Sequence, residues 1–380
     1  MKNALTLAFL LPFLCFTALL QAATMPVPRA PDVGAKAYIL VDYHSGRVLA
    51  EQNADARMEP ASITKLMTAY VVFKELQQGS LKLDDLVTVS EKAWRMEGSR
   101  MFIEVGKKVS VEDLLQGMIV QSGNDATVAL AEHIAGAEDT FAAYMNRYAQ
   151  ELGLTGTHFT NSTGMPDPEH YTTARDIATL AHALIAEFPD YYHWYSQKSF
   201  VYNDITQSNR NKLLWRDKSV DGLKTGHTQS AGYCLVTSAQ RDNMRLISVV
   251  LGTKSEAARA SASQALLNYG FRFFETHKLY DAGTRLTDTR VWKGERETIP
   301  LGVRDTLYVT IPRGRYKDLQ ANMKIQKRLL APIQTGQRCG SIQLMLDGEL
   351  IEEPDLVALE PDPEGGIWER VRDEALLYFE

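Results

Sequence analysis

Lysine- or arginine-rich blocks, glycine-rich phosphate loops, zinc-spaced Cys/His clusters and internal repeats are all missing from this 380-residue chain. With a net charge of -6 and a pI near 5.8, it offers no phosphate-neutralising surface, which excludes nucleic-acid binding. Acidic ligands must therefore be met by a few placed cations. The 8 histidines are scattered, so no metal site and no cofactor are expected. Cysteine is scarce as well: of 3 cysteines, Cys15 falls in the N-terminal apolar run, which leaves Cys234 and Cys339 far apart. Two such residues imply no disulfide framework and are read as buried thiols.

What the chain does have begins with an export signal over residues 1–23. Lys2 supplies the positive start, Ala4 to Leu20 is almost wholly apolar, and Gln21-Ala22-Ala23 ends it with small residues. Pro12 and that small-residue end favour cleavage over retention as a spanning anchor. Beyond it, 45% apolar and 23% charged residues are ordinary for a soluble globular protein. The length allows two domains with separate cores.

Ala37 to Val41 and Arg47 to Glu51, joined through Ser45-Gly46, read as a β-hairpin. A helix follows from Ser62 through Leu66, Tyr70 and Phe73 to Gly79. Short strands are expected at Leu86 to Val89 and Phe102 to Val105, and Ser110 with Asp113 caps a helix over Val111 to Val120. Gln121-Ser122-Gly123-Asn124-Asp125 interrupts it before helical periodicity resumes at Ala126. Helices are expected again at Glu138 to Leu152 and, capped by Thr173, at Ala174 to Phe188. Between them Thr155 to Tyr171 reads as a long loop, a length often tied to function.

Strands return at Val220 to Lys224, Tyr233 to Ser238 and Arg245 to Leu251, the last so apolar that it should be central. Glu256 to Phe274 closes the unit as a helix. The fold class is therefore α+β, an antiparallel sheet flanked by helices, over residues 24–277. Residues 278–362 change grammar to short alternating runs, among them Leu307 to Ile311, Ala321 to Ile325 and Ile342 to Leu346, with a hairpin turn at Asp347-Gly348. They read as a small all-β sandwich domain. Residues 363–380 hold a C-terminal amphipathic helix with apolar residues at 367, 368, 371, 375, 378 and 379. It can lie on a membrane surface through Trp368, Tyr378 and Phe379, dock on the β-domain, or fray; its excess of acid weakens attraction to anionic lipid.

Three short motifs carry the chemistry: Ser62-Ile63-Thr64-Lys65, Ser122-Gly123-Asn124 and Lys224-Thr225-Gly226. On a helix, Ser62 and Lys65 share a face, which sets a nucleophile beside a base. Alone, the pair reads equally as a helix start with an exposed lysine, and Ser122 to Asn124 as a turn with an N-cap. An ordinary lysine is neutral only about once in 2,500 at pH 7, so burial and a neighbouring cation such as Lys224 are needed to make Lys65 basic.

In this order, on helix start, loop and strand, the set resembles the penicillin-recognising serine acyl-transferases. Asp221 to Thr228, Ser208 to Asn211 and Gly270 to Thr276 are similar to the D-alanyl-D-alanine carboxypeptidases of the penicillin-binding protein 5/6 type. The resemblance covers nearly the whole chain and implies a β-lactamase/transpeptidase-like sheet. It implies Ser62 as nucleophile, Lys65 as base, Ser122 as proton shuttle and Asn124 as donor to the substrate amide and to Lys65. Lys224 would hold the site positive and orient Ser122. Thr225 and Arg259, with Arg210 as a second candidate, would grip a terminal carboxylate. Gly226 would admit substrate backbone, and the amides of Ser62 and His227 would form the oxyanion hole, the His227 ring being structural.

The implied partners are a peptidoglycan stem peptide ending in D-Ala-D-Ala and β-lactam antibiotics, at the periplasmic face of a bacterial inner membrane with peripheral contact through the terminal helix. A β-lactamase of class A needs a Glu followed four residues later by Asn; here Glu169 is followed by His170, Tyr171, Thr172 and Thr173. A D,D-endopeptidase remains open. A non-catalytic peptidoglycan binder or β-lactam sensor would not need the nucleophile and base that Ser62 and Lys65 provide.

Overall fold

A computed structural model describes residues 27–379, so the expected signal at 1–23 lies outside the described residues. Five antiparallel strands form the first sheet, in the order Val48–Gln52, Ala37–Asp42, Met244–Thr253, Gly232–Arg241, Val220–Thr228. The near-continuous apolar run at 245–251 is indeed the middle strand. Side chains alternate across a strand, so Ile247, Val249 and Leu251 enter the core on one face, while Leu246 and Val250 enter that on the other. Helices Lys65–Gln78, Asn124–Ala135, Glu138–Glu151 and Ala174–Glu187 cover the first face, and Glu256–Phe273 covers the second. Leu66, Met67 and Phe73 are fully buried in the first core, each worth about 2 kcal/mol of transfer from water.

Several boundaries follow local hydrogen bonding rather than periodicity. The expected strand at Phe102 to Val105 is absent; Leu86–Thr88 pairs instead with Lys108–Ser110. Phe102 sits at φ 69, and the Asp125 carboxylate takes the N–H groups of Met101, Phe102 and Ile103 that a ladder would use. The helix capped by Ser110 is α-helical only to Gln116 and then widens into a π turn, Gly117–Gln121. A hairpin of Ser199–Tyr202 and Ile205–Ser208 was not anticipated. Its two-residue turn, Asn203-Asp204 at φ 47 and 60, carries the residue types that such turns demand.

Strand Phe274–Tyr280 follows helix Glu256–Phe273 without a linker and pairs antiparallel with Leu307–Pro312. A further seven-stranded sheet completes the β-rich unit around a core that includes Ile299, Leu301, Ile342 and Leu344. This unit is braced to the first. Thr276 Oγ1 donates to Asp42 Oδ2 at 2.7 Å, the hydroxyls of Ser45 and Thr310 are 2.6 Å apart, and His44 stacks on Tyr308 with centroids 4.5 Å apart. Cys234 and Cys339 are buried free thiols.

Helix Ile367–Phe379 packs on the β-rich unit by its polar side. The Lys293 N–H donates to Asp373 Oδ2 at 2.6 Å, and Arg290 and Arg372 flank that carboxylate. Its apolar side is turned outward, with Ile367, Trp368 and Val371 exposed. No helix among the described residues is long and apolar enough to cross a membrane.

Candidate active site

Ser62 lies in a 3-10 turn, Ala61–Thr64, that runs directly into helix Lys65–Gln78. Residues three apart eclipse in such a turn, and Lys65 Nζ stands 3.0 Å from Ser62 Oγ. Two glycines pinch the turn from either side. A Cβ on Gly164 would meet the Ala61 carbonyl oxygen at 1.8 Å, and one on Gly226 would meet Pro60 O at 3.0 Å and Ile63 N at 3.2 Å. The glycine of Lys224-Thr225-Gly226 thus lets the strand pack on the nucleophile turn, a steric reason distinct from admitting substrate.

Lys65 is only 1% exposed. Its amine reaches three oxygens: Ser62 Oγ, Asn124 Oδ1 at 2.8 Å and the Thr163 carbonyl at 2.7 Å. Burial, reinforced by the Arg210 cation and opposed by Asp125 and Glu138, lowers its pKa to about 7. A neutral amine keeps two N–H donors and one lone pair. The amide oxygen of Asn124 and the carbonyl of Thr163 can only accept, so they claim the two donors and leave the lone pair facing the Ser62 hydroxyl.

Lys224, on strand Val220–Thr228, is also buried, and its amine donates to the Thr225 carbonyl at 3.1 Å rather than to Ser122. Burial first, then the charges of Lys65, Arg210 and Arg259, hold its pKa well below the usual lysine range. Repulsion between two cations is mutual, so Lys224 and Lys65 act on one another, and the Arg210 cation acts on both. Ser122, held at φ 68 where the π turn ends, has a buried hydroxyl that meets no partner among the described residues. Asn124 Nδ2 donates to the Glu97 carbonyl at 2.6 Å, which fixes the amide with its oxygen towards Lys65.

Ser62, Ser122, Asn124, Arg210, Thr225, Gly226, His227 and Arg259 line one cleft of about 450 Å³. Lys65 and Lys224 lie behind its wall, bonded to Ser62 and Thr225. Arg259 is 4% exposed and donates to the Gly226 carbonyl at 3.1 Å. The His227 ring stacks on Tyr233, centroids 3.9 Å apart. Glu169 does not line the cleft. The carboxylate that does, Glu256, pairs with Lys212 at 2.7 Å and stands 3.6 Å from Arg259. Reading by motif missed Thr163, Met165 and Tyr233. The length of the 155–171 loop was the one signal for the first two. No group of three His, Cys, Asp or Glu side chains suited to a metal occurs among the described residues.

Comparison with known proteins agrees with this geometry. Residues 24–255 match the family described as D-alanyl-D-alanine carboxypeptidase, and residues 274–364 match the penicillin-binding protein 5 C-terminal domain. The chain is 46% identical over 359 residues to D-alanyl-D-alanine carboxypeptidase DacC of Escherichia coli K12, covering 92% of this chain and 90% of the relative. The solved structure of penicillin binding protein 5 from Haemophilus influenzae superposes with a TM-score of 0.86 at 43% identity, over 89% of this chain and 100% of that one. Penicillin-Binding Protein D2 from Listeria monocytogenes in the ampicillin bound form is similar over 64% of this chain and 100% of its own, with a TM-score of 0.59 and 30% identity. Its three motifs, one cleft and two-part architecture thus place this chain in the D-alanyl-D-alanine carboxypeptidase family of penicillin-binding proteins.

Proposed function

We propose that the cleft removes the terminal D-alanine from peptidoglycan stem peptides by acyl transfer through Ser62, and that β-lactams acylate the same hydroxyl. The observation that carries this reading is the buried Lys65 amine, its Nζ 3.0 Å from Ser62 Oγ. Ser62 attacks the carbonyl carbon of the penultimate D-alanine while its proton passes to Lys65 Nζ. The negative charge on the former carbonyl oxygen is met by the backbone amides of Ser62 and His227. The C–N bond then breaks, and the leaving amine takes its proton by way of Ser122, whose hydroxyl has no competing partner among the described residues. Water hydrolyses the ester, and the serine proton is restored. Thr225 and Arg259 hold the substrate's carboxylate, with Arg210 adding positive field.

Incubation of the purified protein with a D-Ala-D-Ala pentapeptide is expected to release D-alanine, and labelled penicillin to leave a long-lived adduct. Adduct formation without D-alanine release would point instead to a β-lactam sensor. With Glu169 outside the cleft and Glu256 engaged by Lys212, no carboxylate lining the cleft among the described residues is free to drive fast deacylation, which is the support for a slow-releasing enzyme over a β-lactamase. Arg259→Gln is expected to raise KM for the peptide about 10-fold to 100-fold, the value of a charge-assisted hydrogen bond, with kcat less affected. A steady-state KM and kcat pair checks it.

A catalytic unit, a β-unit that begins with strand Phe274–Tyr280 rather than at 278, and the terminal helix Ile367–Phe379 fit an exported enzyme held at the periplasmic face of the inner membrane. Ile367, Trp368 and Val371 point away from the β-unit because Asp373 ties down the opposite side of the helix. That orientation favours an interfacial helix over one that hides its apolar side in the fold. Co-sedimentation with lipid vesicles is expected for the mature chain and is expected to be lost when residues 367–380 are removed.

A further inference from the structure

The long loop Thr155 to Tyr171 supplies the Thr163 carbonyl, one of the two acceptors that orient the Lys65 amine. Its outer half is tied to the nucleophile turn by one side chain, His170, which is 2% exposed and has no place in the reaction described above. His170 Nδ1 lies 3.1 Å from the Thr160 backbone nitrogen and 3.2 Å from Thr160 Oγ1, and its Nε2 lies 2.7 Å from Thr64 Oγ1. A backbone N–H can only donate, so Nδ1 is the acceptor and the ring proton sits on Nε2, donating to Thr64. Thr64 is the residue between Ser62-Ile63 and Lys65 and is fully buried.

We infer that His170 is a positioning residue that latches the 155–171 loop to the Ser62–Lys65 turn and thereby sets where the Thr163 carbonyl holds the Lys65 amine. Three features make the latch consequential. Ala61, just before the nucleophile, is held at φ 48, which an L-residue keeps only under external constraint. Gly164 of the loop sits directly on that residue, since a Cβ there would strike Ala61 O and come within 2.8 Å of Thr64 Oγ1. Inside the loop, Asn161 Oδ1 accepts from the backbone nitrogens of Gly164 at 2.7 Å and Met165 at 3.1 Å. The stretch from 161 to 165 therefore moves as a body when the loop shifts on the turn.

Burial lowers the His170 pKa to about 4, with Lys65 and His158 acting in the same direction and Asp167 against them. The neutral, singly protonated ring that the latch requires is thus kept across the pH range in which Lys65 titrates.

The inference rests on the carboxypeptidase reading, and its test separates the two. The full mature chain and its His170→Phe, Thr64→Val and doubly substituted forms are compared for acylation by labelled penicillin, for kcat and KM of D-alanine release, and for pH dependence. Phenylalanine keeps the ring against Phe159 and removes the contacts to Thr160 and Thr64; valine keeps the shape of threonine and removes the acceptor. Each single variant is expected to acylate on the order of 10²-fold more slowly, the cost of a misplacement of about 1 Å in a reacting group, with KM little changed. The acid limb is expected to move upward from about 7, as water reaches Lys65 and relieves the burial that depresses it. The double variant should lose no more than His170→Phe alone, because Thr64→Val breaks a contact that His170→Phe has already removed. Rates and an acid limb like those of an active wild type overturn the latch, as do losses that multiply in the double variant. If His170→Phe does not fold, by its melting transition, Thr64→Val decides alone by the same rate and acid limb. A wild type that forms no adduct overturns the functional reading and the latch with it.

Discussion

Ser62→Ala is expected to abolish the covalent penicillin adduct and to lower kcat for D-alanine release by on the order of 10⁶-fold, the scale seen when a serine hydrolase loses its nucleophile. The effect should be chemical rather than structural. Removing Oγ takes one of three partners from the Lys65 amine, while Asn124 Oδ1 and the Thr163 carbonyl remain. The turn is held by Gly164 and Gly226, which touch backbone and neighbours rather than the Ser62 side chain. Ligand recognition should persist, since Thr225 and Arg259 are untouched, so the variant should still bind the peptide reversibly. Intact-mass spectrometry after exposure to penicillin is the decisive measurement. A second buried hydroxyl, Ser122, lines the same cleft without a partner among the described residues. A residual adduct mapped to Ser122 would refute the assignment of Ser62.

Lys65→Met, which keeps the stem and removes the amine, is expected to slow acylation by on the order of 10³-fold, within the range of a lost general base. In the wild type the acylation rate should fall as the pH drops through about 7, where the amine gains a proton and its lone pair is lost. That acid limb should vanish in the variant. Stability provides an independent reading. In the unfolded chain Lys65 titrates near 10.5, and in the folded chain near 7, so between those values the unfolded state binds more protons and stability rises with pH. Lys224, also depressed by burial, adds to the slope with the same sign. Denaturant midpoints measured at pH 7 and pH 9 should therefore differ more in the wild type than in Lys65→Met. Equal slopes in the two proteins would mean that Lys65 is not depressed by burial.

Legibility differed by scale. The hairpin at 37–51, the helix ending at Gly79, and the apolar strand at 245–251 were readable because each rests on local periodicity or a single turn residue. The Asp125 carboxylate that replaces a strand at Phe102, and the π turn that presents Ser122, were not. Both depend on where a distant backbone places its N–H groups. Asn203-Asp204 was a legible turn signal that went unread.

For the site, residue identity and order were sufficient for the three motifs, because a nucleophile, a base three residues on, and a Lys-Thr-Gly strand are chemical requirements written in sequence, whereas His227, Arg210 and Arg259 were named only through the resemblance to a known family. The sequence by itself determined which groups are available and the α+β class that carries them. Only the tertiary structure decided that Arg210 joins Lys224 as a charge acting on Lys65, that Thr163 supplies its third partner, and that the terminal helix turns its apolar side outward. Each of these is a matter of burial or of distance between segments far apart in the chain, and a field in a low-dielectric interior depends on where charges are brought rather than on how many there are.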